Sequence, residues 1–310
     1  MMRYLVTGGS GFIGRQVVKM LAREGDQIVV YDIKPDKDRL AGLLGDRDSS
    51  KLTAITGDIT ELDPLVKVCT DHGIENIIHT AAILDSLNPA VTVRVNCDGA
   101  VNVLEAGRMT GVKRVVMSSS VAVFGGHDKY REEFIPNDAP HFPGSLYGAT
   151  KSFNERCVDY YFRTYSLDAI AVRFTHVYGT GRSSGIGTKF DEELFIKPAI
   201  GKPGKVPYSE SIHNWIYVED AARSLVLASK ALKTESRCFT AGSDIHSVAE
   251  VADYVRTLIP DADITLLPGK FQLAYKFDYS PIQNELGFKP NFTIENGVKD
   301  FIDQIINENG

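Results

Sequence analysis

Tyr147 and Lys151 stand four residues apart in Tyr147-Gly148-Ala149-Thr150-Lys151. At that spacing a phenol and an ammonium share one face of a helix. A free phenol titrates near ~10. A neighbouring ammonium favours its ionised form and equips the tyrosine to exchange a proton near neutral pH. The pattern by itself is weak, because the chain carries 13 tyrosines. A second group strengthens it: Ser118-Ser119-Ser120 closes an apolar, strand-like run. Carboxyl ends of strands in an open parallel sheet line the ligand crevice. A hydroxyl there can hold a substrate oxygen while Tyr147 moves the proton. The plain alternative is a serine-rich turn, which the order of the motifs argues against.

The third group is a glycine turn. An apolar run at residues 3–7 passes straight into Gly8-Gly9-Ser10-Gly11-Phe12-Ile13-Gly14 and then into a helical pattern at residues 15–24. Gly8 permits the tight turn, Gly11 lets the backbone approach an anion, and Gly14 lets the helix pack close to the sheet. The helix N-terminus then faces a pyrophosphate, so a dinucleotide site is expected. Asp32 ends the second strand run, about 20 residues beyond the turn. A carboxylate there accepts from the adenosine ribose hydroxyls and repels a 2′-phosphate, which predicts NAD over NADP; Lys34 is the one feature that points the other way. Asp58 and Ile59, after Gly57, read either as contacts to the adenine edge or as a turn after the third strand.

The elements that must position these groups alternate over the first half. Strand-length runs fall at residues 4–6, 27–31, 52–56, 77–80, 115–118 and 169–174, with helical stretches at 15–24, 64–72, 89–110 and 146–166. The alternation predicts a doubly wound α/β fold, a parallel Rossmann sheet covered on both faces. After Tyr178 the chain turns polar and glycine-rich, and helical patterns return at 218–233, 248–258 and 294–307. This divides the chain into a dinucleotide-binding domain at 1–178 and a smaller α/β C-terminal substrate lobe at 179–310, some of whose segments return to pack on the first domain.

Bulk properties bound the rest. The 310 residues suffice for one large or two modest domains. At 43% hydrophobic and 24% charged the composition is that of a soluble globular protein, and a net charge of −6 argues against nucleic-acid or acidic-membrane partners. No apolar run reaches the ~18 residues of a membrane span, and the first strand leaves no room for a leader. Cys69, Cys97, Cys157 and Cys238 are scattered, which reads as buried free thiols rather than a disulfide framework or metal site. A cytoplasmic protein is expected.

Over nearly its whole length the chain resembles the extended short-chain dehydrogenase/reductases, often labelled NAD-dependent epimerases/dehydratases. The likeness lies in Thr7-Gly8-Gly9-Ser10-Gly11-Phe12-Ile13-Gly14, Ile77-Ile78-His79-Thr80-Ala81-Ala82 and Val95-Asn96-Cys97-Asp98-Gly99. It continues through Ser118-Ser119-Ser120, Tyr147 and Lys151, Arg173-Phe174-Thr175-His176-Val177-Tyr178-Gly179 and Trp215-Ile216-Tyr217-Val218-Glu219-Asp220. The resemblance implies an open Rossmann sheet with a C-terminal substrate lobe and reactions that begin with hydride transfer at a carbinol carbon. It implies Ser120 as the hydroxyl partner, Tyr147 as acid/base and Lys151 as ribose anchor, with Ala81 and Ala82 beside the nicotinamide. The expected cofactor set is Gly8, Gly11, Phe12, Ile13, Gly14, Asp32, Asp58, Ile59, Ala81, Ala82, Asn96, Ser118, Tyr147 and Lys151.

Two departures bear on the substrate. Family members that act on nucleotide-diphosphate sugars usually carry Asn where this chain has His176, and an Arg-Asp pair where it has His213-Asn214. A mostly neutral imidazole does not replace a bidentate arginine at a pyrophosphate. The expected substrate is therefore smaller, a polyol, sugar acid or hydroxy-ketone oxidised with net NAD reduction. The alternative is a nucleotide-sugar epimerase/dehydratase with transient NAD reduction, and a non-enzymatic NAD binder is a third reading. Ser120, His176, Arg182, Ser183, Tyr208 and His213 form the expected substrate set, with Trp215 on the same wall. The loop 180–187 reads either as a substrate gate or as lobe packing, and the two histidines as neutral hydrogen-bonding groups or as catalysts. The helix after Lys151 carries Phe153, Cys157, Val158, Tyr160, Tyr161, Phe162 and Tyr165 over an arc of roughly 200°. That arc is wider than one core needs, and together with the family's habit it predicts a homodimer; intrachain packing is the other explanation.

Overall fold

The computed structural model describes residues 1–44, 51–84, 88–182, 186–271 and 273–309. From the amino end, β1 (Arg3–Thr7), α1 (Gly14–Arg23), β2 (Gln27–Asp32), α2 (Lys37–Leu44), β3 (Leu52–Thr56) and α3 (Leu62–Asp71) alternate. β4 (Asn76–His79) leads to α4 (Pro89–Val93), which widens through a π turn at Arg94–Asp98 and continues as α5 (Gly99–Thr110). β5 (Arg114–Ser120), α6 (Leu146–Tyr165) and β6 (Ala169–Phe174) follow. The later chain is built of shorter pieces. These are β7 (His176–Tyr178), α7 (Ile186–Phe190), a second π turn at Asp191–Ile196, α8 (Lys197–Ala199), β8 (Gly204–Val206) and β9 (Ile212–Tyr217). Then come α9 (Val218–Lys230), β10 (Cys238–Ala241), β11 (Asp244–Ser247), α10 (Val248–Leu258), β12 (Ile264–Leu266), α11 (Ser280–Leu286) and α12 (Ile294–Asn309).

The main sheet has seven strands in the order β10-β6-β5-β4-β1-β2-β3. All its pairings are parallel. Side chains of a strand alternate between faces, and here both faces are apolar. Val6, Val30, Ile78 and Val116 join a core with Val17 and Val18 of α1 and Leu225 of α9. Their neighbours Leu5, Val29, Ile77 and Val115 join another with Leu65 of α3, Val103 of α5 and Val158 of α6. Helices therefore cover both faces, the doubly wound arrangement that the run of fully buried residues in β5 and β6 requires. From β1 the chain winds out to β3, then returns to β4 on β1's other side. That reversal opens a crevice at the carboxyl ends of β1 and β4.

Six strands were legible as apolar runs. The seventh, β10, comes from beyond residue 178 and pairs with β6, while α9 packs on β5 and β6. The last third of the chain thus completes the main sheet as well as building a lobe of its own. That lobe holds β9 and β11, which form a three-stranded sheet with β7 from just before residue 179 in the order β11-β9-β7, and the pair β12-β8. Among the described residues no helix is long and apolar enough to cross a membrane. Of the four cysteines, all free, Cys69 alone is fully buried; Cys97, Cys157 and Cys238 are half-buried.

Candidate active site

The glycine turn is a cradle that side chains would fill. Gly8 has φ +69°, and a Cβ there would lie 2.6 Å from the Ala81 nitrogen; one on Gly14 would lie 2.1 Å from the Gly8 carbonyl oxygen. Gly11 donates its N–H to that same carbonyl at 2.9 Å, which folds the turn onto the head of α1. Gly8, Gly11, Phe12, Ile13 and Gly14 all line one cleft of about 880 Å³, at the large end of ligand sites. Asp32 is fixed at its rim by the backbone N–H groups of Ser10 and Lys34, each 3.2 Å from a carboxylate oxygen. It keeps lone pairs for ribose hydroxyls. Asp58 and Ile59 also reach the cleft, Asp58 accepting from the Thr60 N–H at 2.8 Å. An anion facing amides, with a carboxylate at the far end of β2, fits a dinucleotide of the NAD type.

Tyr147 and Lys151 enter from the first two turns of α6. Ser145 caps that helix by accepting from the Gly148 N–H at 3.1 Å. Lys151 is buried, its Nζ donates to the Ser118 carbonyl at 2.9 Å and lies 5.6 Å from the centroid of the Tyr147 ring. Burial pulls the ammonium down to about 8, against the opposing pull of Glu155. Ser120 Oγ accepts from the Ala122 N–H at 3.1 Å and starts a short 3-10 turn. Ser118, Ser120, Tyr147, Lys151, Ala81 and Ala82 share the cleft wall. Beneath them a buried ion pair locks the scaffold. Glu155, one turn beyond Lys151, receives Arg173 at 2.7 Å and the Ser119 hydroxyl at 2.5 Å.

Asn96 does not reach the cleft wall. Its amide is used up on the backbone of Ile83, accepting from N–H and donating to C=O at 2.8 Å each, and on the Thr150 hydroxyl at 3.2 Å. It positions the segment that carries Ala81 and Ala82, sitting in the π turn that widens the helix.

The other end of the cleft is different in kind. His176 of β7 lies opposite Trp215 in the register of β7 and β9, and His213 is two residues before Trp215 on the same face. The imidazoles stack at 5.0 Å and 28°, with the Phe190 ring edge-on to each. Both line the cleft. Burial depresses both, His213 to about 4 and His176 well below its usual range, the latter also opposed by His213 and Arg182. They are neutral at physiological pH. Trp215 is a correction to the sequence reading: it lies buried under the histidines, donating to the His246 carbonyl at 3.0 Å, and does not line the cleft. Tyr208 is another. It sits in a left-handed turn at φ +56° outside the cleft, its ring 6.2 Å from Phe271.

Arg182 does line the cleft, but not on a free loop. Its Nε donates to buried Asp191 at 3.2 Å and its Nη2 to the Val177 carbonyl. Burial outweighs Arg182 at Asp191 and pushes that carboxyl up to about 7. Gly187, expected in the same loop, belongs to α7. Ser183 lies outside the described residues. Phe190, Phe271 and Leu273 are cleft residues the sequence reading missed. Phe271 and Leu273 belong to an irregular segment, anchored where the Ala274 N–H donates to the Gly125 carbonyl and the Phe271 N–H to the Ser211 hydroxyl. The alternating apolar residues of Phe271-Gln272-Leu273 were the only local signal.

With the geometry in hand, known proteins can be set beside it. The model of the NAD dependent epimerase/dehydratase family matches residues 4–241. A UDP-glucuronate 4-epimerase of Thermodesulfobacterium geofontis is 28% identical over 96% of this chain and 94% of its own length. The solved structure of MoeE5 in complex with UDP-glucuronic acid and NAD superposes with a TM-score of 0.82 at 26% identity, covering 99% of each chain. That of the Thermus thermophilus UDP-glucose 4-epimerase in complex with NAD gives a TM-score of 0.83 at 22% identity over 98% of this chain and 99% of that one, a likeness of fold.

Proposed function

The chain belongs to the NAD dependent epimerase/dehydratase family, and within it we propose a nucleotide-sugar epimerase that oxidises a secondary carbinol of the sugar and reduces it again within one turnover. It is an NAD-dependent enzyme of the extended short-chain dehydrogenase/reductase type. The observation that carries the finer reading is the full-length similarity to a UDP-glucuronate 4-epimerase. It favours nucleotide-sugar epimerisation over net oxidation of a small polyol, sugar acid or hydroxy-ketone.

Bound NAD supplies a reversible hydride acceptor. The residues around it divide the remaining work. Ser120 holds the substrate oxygen and Tyr147 takes the hydroxyl proton as the carbonyl forms, then returns it. The Lys151 ammonium, within cation–π distance of the ring, favours the tyrosine's ionised form and anchors the nicotinamide ribose. Gly8, Gly11, Phe12, Ile13 and Gly14 receive the pyrophosphate. Asp32 holds the adenosine ribose, and Asp58 and Ile59 border the adenine. Ala81, Ala82 and Ser118 border the nicotinamide half. His176, His213 and Phe190 wall the substrate end.

Net oxidation of a smaller substrate is kept as a second reading on one observation. The imidazoles standing where a diphosphate would want a cation are uncharged. The experiment offers UDP-glucuronate and UDP-glucose in turn, reading the configuration at C4 by proton NMR and NADH by absorbance. Inversion with flat absorbance supports the epimerase. Multiple equivalents of NADH from a small alcohol, with neither nucleotide sugar altered, favour the second reading.

We assign the chain to a homodimer of the cytoplasm. Val158 and Tyr161 of α6 pack into the core, while Phe153, Tyr160 and Tyr165 of α6, Val91 and Val93 of α4 and Met109 of α5 stay exposed, on helices that touch one another. Such a patch suits a second copy. Free thiols suit a reducing compartment. The division at residue 178 stands as a proposal, with β10 and α9 returning across it.

A further inference from the structure

We infer that Arg182 is a latch on the pyrophosphate of the cofactor, reaching from the second lobe across the cleft to the glycine turn. Its Cζ lies 4.6 Å from the centroid of the Phe12 ring. Phe12 belongs to the turn itself, between the glycines that cradle the anion, whereas the substrate end lies toward His213 and Phe271. The guanidinium stands between the turn and the histidines: it lies over Phe12, and its charge also helps depress His176.

Charge supports the assignment. Lys151 and Arg182 are the lysine and arginine side chains on the cleft wall among the described residues. Lys151 is committed beneath Tyr147, with its Nζ on the Ser118 carbonyl. The turn offers a pyrophosphate only backbone amides and the fractional charge of the α1 N-terminus, and the acids Asp32 and Asp58 stand on the same wall. Arginine's planar fork suits phosphate oxygens. Two of its nitrogens are used in holding the side chain: Nε on Asp191 and Nη2 on the Val177 carbonyl. Among the described residues no acceptor meets Nη1, which lies along α7 beside Gly187, so two hydrogen bonds hold the side chain and one nitrogen stays uncommitted.

The surrounding backbone is shaped to this side chain. A Cβ on Gly187 would lie 2.8 Å from Arg182 Cζ and Nη1, so a larger residue there would require the guanidinium to shift. A latch of this kind slows cofactor release. An enzyme that must recover its hydride before the cofactor leaves has use for it, but the inference itself needs only that NAD binds.

The test is binding of ADP-ribose, which carries the pyrophosphate and no reacting group, to protein freed of bound nucleotide. Titration calorimetry on Arg182→Met should show the Kd raised by about tenfold to a hundredfold, the range for losing a charged hydrogen bond. Stopped-flow should show faster NAD release, and Arg182→Lys should recover part of the loss. Should Arg182→Met fail to fold because Asp191 is left buried without its partner, Arg182→Met/Asp191→Asn removes both charges and gives the same reading. An unchanged Kd for ADP-ribose overturns the inference, and a rise in substrate KM alone would return Arg182 to the substrate. Because no substrate is present, failure here is separate from failure of the epimerase reading.

Discussion

At the cofactor end of the cleft the wall is largely backbone, and at the substrate end it is side chains. Gly8 and Gly14 leave no room for a Cβ, and the carboxylate of Asp32 is pinned by two amides. Beyond Tyr147 the wall is His176, His213, Phe190, Phe271 and Leu273, drawn from β7, β9, α7 and a segment without regular structure. The first end tolerates few residue types because geometry excludes the others. The second works with whatever shape and polarity its substrate demands, so it is where relatives of one fold diverge.

That contrast sorts the expected effects of change. The largest falls where the two ends meet. Tyr147→Phe should lower kcat by about 10²–10⁴-fold while NAD still binds, as read by calorimetry. Loss of cofactor binding along with activity would mean that the tyrosine belongs to the scaffold and not to the chemistry. Next is pH. Lys151 titrates at about 8, below the usual lysine value. Its charge is therefore complete below that pH and is lost above it. Activity should fall by up to about tenfold per pH unit on the alkaline side, and Lys151→Arg should remove that limb at the cost of a lower plateau. A wild-type profile flat to about pH 10 would break the link between ammonium and tyrosine.

A smaller effect is expected at the far cofactor end. Asp32→Ala should narrow the preference for NAD over NADP by about tenfold or more, since a charged hydrogen bond and a repulsion disappear together. Comparing the two Kd values checks it. The smallest effect sharpens the substrate end. Because burial holds His213 down to about 4 and His176 well below its usual range, substrate KM should stay level from about pH 5.5 to about pH 7.5. A step near ~6.5 would show that substrate binding protonates the pair.

The same contrast explains what the sequence could and could not disclose. The glycine turn, Asp32, Ser120, Tyr147 and Lys151 were visible because each sits at a fixed distance from a strand or helix end. The first six strands were visible because strands covered on both faces read as unbroken apolar runs. β10 escaped because Cys238-Phe239-Thr240-Ala241 is short and reaches the main sheet from far along the chain. Asn96 was recognised, but its work on the Ile83 backbone rather than in the cleft depends on a loop conformation that no spacing encodes. Tyr208 and Trp215 resembled site residues by composition alone; the strand register sends Trp215 beneath the histidines. Phe190 reaches the cleft from the short helix α7, and Phe271 and Leu273 from an irregular segment tied down by hydrogen bonds to Ser211 and Gly125, contacts that leave no periodic trace.

The claim at the centre of this account is that hydride taken from the sugar goes back to the same molecule. UDP-glucuronate carrying deuterium at C4, incubated with catalytic enzyme and a pool of unlabelled NADH, tests it directly. The C4-inverted product is expected to retain its deuterium, and the pool to gain none. Deuterium appearing in the free NADH, or label lost from the product, would contradict it.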